Sequence, residues 1–514
     1  MRGLTLRRIA EVTGGEFRLS FLSGEGGYEC LDPVQADQAL KDRRGAVEAA
    51  LDMEVSSIVT DSRKAGRNSL FGAIVGERVD GNAFVSAVFA QGAACVLTER
   101  MLDKEDLFGK DGAAAENGRA WIRVENTISA LGEIAAEYLR MLGTPVVGIT
   151  GSGGKTSTKE RIASVLARKK RTRKTEGNFN NELGLPLTVF SLEPEDEVAV
   201  LEMGVSHFGD MTALARIARP GRMVITNIGT CHLEFLRDRE GIFRAKTEVF
   251  DYMEEGSQVF LNGNDDLLRR VVDVNGTRPV FFGVDSRLAG VSDLSAGPVV
   301  EYPALLPERQ CVTVTSMKAL GFEGTECTIK APEGTFTALV PVPGIHNCSN
   351  AAAATAVGLS FGMSLEEIRK GIESAKTISG RFRVLKADGL TVIDDCYNAN
   401  PVSMKSSLLV LSGADGRRCA VLGDMGELGE AEIALHEDVG AYAASCVDHL
   451  IAVGPMSRAM YEAALRENPG LSASWYESVE EFLSHVEEEV RKGDTVLVKA
   501  SHYMQFQRIV EALT

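Results

Sequence analysis

The residues most able to do chemistry lie in one run, Gly148 to Lys159, which reads GITGSGGKTSTK. Its glycine-rich turn, Gly151, Ser152, Gly153 and Gly154, sits between an apolar run that reads as a buried strand and a helix-forming stretch. Glycines let backbone N–H groups turn toward a phosphate, and the start of the following helix adds favourable partial charge. Lys155 is placed to reach the β- and γ-phosphates of a nucleoside triphosphate, and Thr156 to ligate Mg2+. Ser157 follows in the first helical turn and completes the phosphate-binding set. A chance glycine-rich turn is the alternative, and the shared register of strand, Lys-Thr pair and helix argues against it.

A second candidate, Glu202, closes the apolar run VAVLEMG. In a parallel sheet its carboxylate would sit at the same edge as the phosphate loop, and an anionic oxygen there suits Mg2+. Alone, a glutamate in such a place is more often a surface or capping group; the loop tips the reading toward a ligand. His232 in NIGTCHLE and Lys246 in RAKTEVF are weaker signals. By spacing alone they read as a structural hydrogen-bonder and a solvated helix lysine.

Positioning these residues requires parallel strands with helices between them. From about Thr144 the chain alternates short apolar runs ending in Gly, Asp, Asn or Glu with helix-length amphipathic stretches. PVVGIT, VAVLEMG, MVITNIG and QVFLNGND are the expected strands, with their polar ends meeting at the carboxyl edge of the sheet. Between about Phe282 and Pro343 the pattern shortens and gains Val and Thr (CVTVTSM, CTIKA, FTALVPV), which predicts attached antiparallel strands, followed by a helix from Ser349 to Phe361. After Gly380 a second alternating series, LTVIDD, CAVLGD, HLIAVG and TVLVKAS, predicts a separate doubly wound, Rossmann-like domain.

The length of 514 residues itself implies about three domains. The expected fold is therefore α/β in three parts: a small mixed α/β domain over 1–143, a central phosphate-loop domain with a parallel sheet over 144–378, and the Rossmann-like domain over 379–514. In the first part SSIVTDSRKAGRNSLFGAIVG places a polar turn between two apolar runs, whereas residues 18 to 52 are acid-rich and poorly patterned.

A net charge of −17 opposes a nucleic-acid or anionic-membrane partner, and the one basic run, RKKRTRK from Arg168 to Lys174, reads as a solvated helix end. The nine cysteines show no metal-ligand spacing and read as buried thiols of a reducing compartment. No apolar h-region opens the chain and no stretch reaches the ~20 residues of a membrane span, so a cytoplasmic protein is expected. A monomer is the expected state.

Taken in order, GITGSGGKTSTK, TEGNFNNELGLP, LEMG, NIGTCHLE, AKTEVF, PGIHNCSNAAAA, SGRF and DDCYNANPVSM resemble the motifs of Mur ligases, leaving mainly residues 18–52 outside the match. The resemblance implies an ATP- and Mg2+-dependent, amide-bond-forming ligase of cell-wall precursor synthesis that works through an acyl phosphate. It implies that Thr60, Asp61, Ser62 and Arg63 contact a uridine diphosphate, and that Asn178, Asn180 and Asn181 form a substrate loop. Asn347 and Asn350 would face adenine, Asp395 the ribose and Arg381 the ATP phosphates. Glu202 and His232 match the family's metal ligands, and Lys246 its position for a carbamylated lysine.

Within the family, DDCYNANPVSM and VLGDMGELG resemble the branch that joins D-alanyl-D-alanine to UDP-N-acetylmuramoyl-tripeptide, and the Asp-Asn-Pro-Arg string of the diaminopimelate-adding branch is absent. The alternatives are another Mur ligase, a folylpolyglutamate-type ligase, which would not need the TDSR-bearing first domain, and a phosphate-loop nucleotide switch, which would be expected to show an Asn-Lys-x-Asp string. In KASHYMQF, Ala500 and His502 stand where relatives usually have Gly and Arg.

Overall fold

The computed structural model describes the chain apart from residues 2, 23–27, 34–40, 110–117, 230, 289–310 and 378. The chain forms two compact units, Met1–Val146 with Thr175–Met203 and Thr212–Arg219, and Val147–Lys174 with Gly204–Met211 and Pro220–Thr514.

The first unit holds a six-stranded sheet in the order Tyr28–Leu31, Glu16–Leu22, Arg119–Arg123, Cys95–Thr98, Ser69–Gly72, Ser57–Val59. Its first two pairings are antiparallel and the other three parallel. The poorly patterned stretch after residue 18 thus supplies the edge strand Tyr28–Leu31 and most of its neighbour Glu16–Leu22, which is paired on both sides. Phe17, Leu19 and Phe21 alternate into the core, and the indole N–H of Trp121 donates to Ser20 Oγ at 3.1 Å. The helix Thr127–Leu142 starts on an Asn126 cap and ends at Gly143 in the left-handed conformation, φ 64°. Its buried Tyr138 donates to Leu192 O at 2.9 Å, tying in the later segment, whose strand Val198–Glu202 is buried along its whole length.

In the second unit the strands run Gly334–Val340, Thr325–Ala331, Cys311–Ala319, Val280–Val284, Gln258–Asn262, Arg222–Ile225, Val146–Thr150. The last five are parallel; only the pairings among the first three are antiparallel, so the antiparallel attachment starts at Cys311 rather than near Phe282. The expected helix at Ser349 begins earlier, at Ile345.

The C-terminal sheet runs Arg383–Ala387, Leu390–Asp394, Thr495–Lys499, Arg418–Gly423, His449–Val453, Ser472–Tyr476, parallel except for the first pairing. Alternate residues face opposite cores. Ala420, Leu422 and Leu450 pack with Leu408, Val439 and Met460 from three helices, while Cys419, Val421 and Ile451 pack with Phe482 and Ile509 from two others. Helices on both faces make this domain doubly wound. Among the described residues no helix is long and apolar enough to cross a membrane.

Candidate active site

The loop after Val146–Thr150 is shaped by two glycines and one neighbouring strand end. Gly151 has φ 150° and Gly154 has φ 75°, backbone that side chains resist. A Cβ on Gly151 would fall 1.9 Å from Thr226 Oγ1. Thr226 donates to Gly153 O at 2.5 Å, the Gly153 N–H donates to Asn227 Oδ1 at 2.8 Å, and the Ser152 N–H to Asn227 O at 3.1 Å. Asn262, ending the next strand, donates to Thr226 O at 2.8 Å. Three consecutive strand ends therefore meet at the carboxyl edge, as the alternating pattern predicts. Gly151→Ala is expected to destabilise the protein by about 1–3 kcal/mol, through overpacking against Thr226. An unchanged urea midpoint would show that the loop yields freely.

Lys155 opens the helix Lys155–Leu166 and its ammonium donates to Gly151 O at 2.9 Å. Thr156 is buried, and its hydroxyl accepts from Arg381 Nη2 at 3.3 Å. That guanidinium lies 4.1 Å from the centre of the Tyr397 ring, which in turn stands 5.5 Å from the ring of His502. Asn350 sits over the loop, its Oδ1 3.6 Å from where a Gly154 Cβ would be, and its buried Nδ2 has no hydrogen-bond partner among the described residues. Asn347, three residues earlier on the same helix face, donates to Pro343 O at 2.9 Å. Lys155, Thr156, Asn350 and Arg381 are thus brought together.

Asp395 is placed differently from an open ribose contact. Its carboxylate accepts from Lys499 Nζ at 2.6 Å, Ser407 Oγ at 2.6 Å and the Phe382 N–H at 3.1 Å, so it fixes the backbone next to Arg381.

His232 has φ 56° and its Nδ1 lies 2.7 Å from Glu427 Oε2, a short ionic contact off the straight hydrogen-bond line. The imidazole holds the Glu427 carboxyl below the usual carboxylate range against the opposing effect of burial. Lys246 is the most unexpected group. It lies on the helix Arg239–Thr247, is completely buried, and its Nζ has no hydrogen-bond partner among the described residues. Burial above all, with Lys155 adding to it, pushes its pKa down to about 8, against Cys231 and Asp210, which raise it.

In the first unit, Glu202 is buried, its N–H donates to Thr175 Oγ1 at 2.9 Å, and its Oε1 accepts from Asn180 Nδ2 at 3.0 Å. Asn181 Oδ1 accepts from the Gly184 N–H at 2.8 Å, while Asn178 O accepts from the Asn180 N–H at 2.7 Å. A Cβ on Gly184 would come 2.4 Å from Phe179 Cα, so the loop closes only with glycine there. Asp61 caps the short helix Ser62–Lys64 and holds Arg63 through Nε at 2.9 Å and Nη2 at 2.8 Å. Those bonds bring the Asp61 carboxyl down to about 2. Thr60 lies beside Gly72, with Cγ2 3.6 Å from its hypothetical Cβ.

Three family descriptions match the chain: "Mur ligase family, catalytic domain" over 54–139, "Mur ligase middle domain" over 149–358 and "Mur ligase, glutamate ligase domain" over 380–502. The UDP-N-acetylmuramoyl-tripeptide--D-alanyl-D-alanine ligase of Bacillus subtilis is 37% identical over 465 residues, spanning 89% of this chain and 93% of that one. The chain belongs to the Mur ligase family.

Other Mur ligases agree with this along the chain. The Escherichia coli ligase of the same description is 34% identical over 80% of this chain and 84% of its own. A MurF crystal structure from Acinetobacter baumannii superposes with a TM-score of 0.79 at 29% identity, covering 99% of this chain and 98% of that one. The MurF ligase of Thermotoga maritima, solved in complex with ADP, gives 0.72 at 28% identity over 89% and 96%. A folylpolyglutamate synthase from Mycobacterium tuberculosis shares the fold, with a TM-score of 0.54 at 16% identity over 75% of this chain and 94% of its own.

Within this Mur ligase the two departures at the C-terminus find places. Ala500 is fully buried, and a Cβ on Gly423 would meet its Cβ at 2.7 Å. His502 is exposed beside Tyr397. Sequence reasoning passed over Thr226 and Asn227, which hold the loop, and Tyr397 under Arg381; each lies within a quoted motif but carries no spacing signal of its own. Part of DDCYNANPVSM is local architecture. Asn400 caps the helix Pro401–Ser412 in a reciprocal box with Ser403, and Pro401 fills the first helical position.

Proposed function

We propose that the chain joins D-alanyl-D-alanine to UDP-N-acetylmuramoyl-tripeptide in an ATP-driven reaction. The observation that carries this is the phosphate loop held by Thr226 and Asn227 with Arg381 beside Thr156, in a chain that is 37% identical to a ligase of that description over 93% of its length. In this reading residues 1–143 receive the uridine-diphosphate end through Thr60, Asp61, Ser62 and Arg63. Residues 144–378 bind ATP through the loop, with Asn347 and Asn350 toward adenine. Residues 379–514 bring Arg381 to the phosphates, with Asp395 fixing its backbone beside the ribose, and receive the dipeptide. Asn178, Asn180 and Asn181 support the substrate, Asn180 through Glu202.

A terminal carboxylate of the tripeptide attacks the γ-phosphorus and ADP leaves, giving an acyl phosphate. The neutral amine of D-alanyl-D-alanine then adds to the acyl carbon, loses its proton and expels phosphate. Negative charge concentrates in both steps, so Lys155 and Arg381 act mainly by stabilising and positioning it.

The residues present also fit Mg2+. In the second unit Thr156 offers a hydroxyl and His232 a ring nitrogen, and the Lys246 amine, without a hydrogen-bond partner among the described residues, becomes an anionic oxygen donor if it takes up carbon dioxide; Glu202, in the first unit, offers a carboxylate. Among the described residues no group of three or more His, Cys, Asp or Glu forms a ready metal cage. Mg2+ is usually held by few protein groups together with phosphates and water, and when bound it neutralises phosphate charge.

Phosphate release measured across a panel of amine acceptors is expected to be fastest with tripeptide substrate plus D-alanyl-D-alanine. Faster turnover with UDP-muramoyl dipeptide plus a diamino acid would assign the chain to another branch.

A further inference from the structure

The contact between His232 and Glu427 joins two parts of the sequence nearly two hundred residues apart, and neither residue reaches it in relaxed backbone. His232 has φ 56° and Glu427 φ 61°. A left-handed conformation is unfavourable for a side-chain-bearing residue, and such strain persists where surrounding structure holds it. Here the surroundings are firm around Glu427. Its loop follows the strand Arg418–Gly423; the Met425 N–H donates to the buried His436 Nε2 at 2.9 Å and the Gly426 N–H to Ser501 Oγ at 2.9 Å. Leu428 is buried in the C-terminal core, and Gly429 packs against Glu234, a Cβ there standing 3.9 Å from Glu234 Cα.

A carboxylate oxygen 2.7 Å from an imidazole nitrogen is attractive only if that nitrogen carries the proton, since two facing lone pairs would repel. With the proton on Nδ1, the neutral ring keeps its lone pair on Nε2. We propose that Glu427 is a positioning residue that sets the tautomer and orientation of His232, so that Nε2 is offered to Mg2+. The inference rests on the reading of His232 as a metal ligand and adds a carboxylate from the C-terminal domain behind it. Carboxylates behind ligand histidines typically change metal affinity 10–100-fold when removed. A surface ion pair without this job, as the 56% exposure of the Glu427 side chain would otherwise suggest, contributes little and would leave metal binding alone.

Two readouts that do not depend on turnover test this on the full chain. Long-range proton–nitrogen correlation spectra of 15N-histidine-labelled protein report the tautomer of each of the seven histidines, with His232 identified by the signal lost in His232→Gln. Mn2+ binding, followed by electron paramagnetic resonance with a non-hydrolysable ATP analogue present, reports the site. The expected result is an Nδ1–H signature for His232 that disappears in Glu427→Ala, together with Mn2+ binding weakened about 10-fold or more. Glu427→Gln, whose amide oxygen still accepts, should retain most of both, and His232→Ala with Glu427→Ala should weaken binding no more than His232→Ala alone. Unchanged Mn2+ binding in Glu427→Ala overturns the proposal, whatever the spectrum shows. Normal Mn2+ binding in His232→Ala would instead remove the ligand assignment beneath it, which the Glu427 variants alone cannot mimic.

Discussion

Lys155→Ala is expected to lower turnover at least ~100-fold, the scale on which one preorganised electrostatic contact acts, while the far-ultraviolet circular dichroism stays unchanged. The separation of the two effects follows from what the side chain touches. Among the described residues its ammonium makes one hydrogen bond, to Gly151 O on its own loop, and the side chain is not part of the buried core. The loop is held instead by Thr226 and Asn227 and by the φ values of Gly151 and Gly154, none of which the substitution alters. Arg381 does not replace the lost charge, because it is anchored against Thr156 and the Tyr397 ring rather than at the loop entrance. Phosphate release at saturating substrates is the measurement. Near-normal activity would mean that this loop does not hold the nucleotide.

The parts of the fold that could be read from the sequence were those with a local cause. Short apolar runs ending in polar residues became the strands Val146–Thr150, Val198–Glu202, Arg222–Ile225 and Gln258–Asn262, and the four C-terminal runs became strands in the same way. The loop was legible because glycine spacing is itself the mechanism. The strands Glu16–Leu22 and Tyr28–Leu31 were not. The alternation of Phe17, Leu19 and Phe21 is present, but its pairing partner is Arg119–Arg123, about a hundred residues away, and charged neighbours hide the pattern. Asp395 shows a different limit. Its place in a motif suggested a ligand contact, yet Lys499 and Ser407 reach it from distant elements, and only the fold reveals that it props up the Arg381 segment. Glu427 lies within VLGDMGELG, but nothing local singles it out, since a glutamate in a glycine-flanked turn reads as solvated.

Lys246 marks the widest gap between local pattern and environment. In RAKTEVF it reads as a solvated helix lysine, whereas the fold buries it completely and gives its Nζ no hydrogen-bond partner among the described residues. A buried, unpaired ammonium is costly, and the protein answers by making the neutral amine accessible, with a pKa of about 8. A neutral amine is the form that adds to carbon dioxide, giving a carbamate and releasing a proton. The product offers the hard anionic oxygen that suits Mg2+, where an ammonium would repel the ion. The competing role is a lysine that stays cationic and touches a substrate phosphate directly, which is also sound chemistry. Lys246→Ala is expected to lose at least ~100-fold in turnover under either role, so the decisive measurement is rescue. Formate or acetate should partly restore the Ala variant if the lost group is a carbamate, and small amines should not. The native enzyme supplies a second reading. Its amine is half neutral near pH 8 and increasingly protonated below, so the activity of bicarbonate-depleted enzyme should depend on added bicarbonate more strongly at pH 7 than at pH 9. Rescue by amines alone, or an unmodified lysine at this position in a crystal grown with Mg2+ and bicarbonate, would defeat the carbamate assignment.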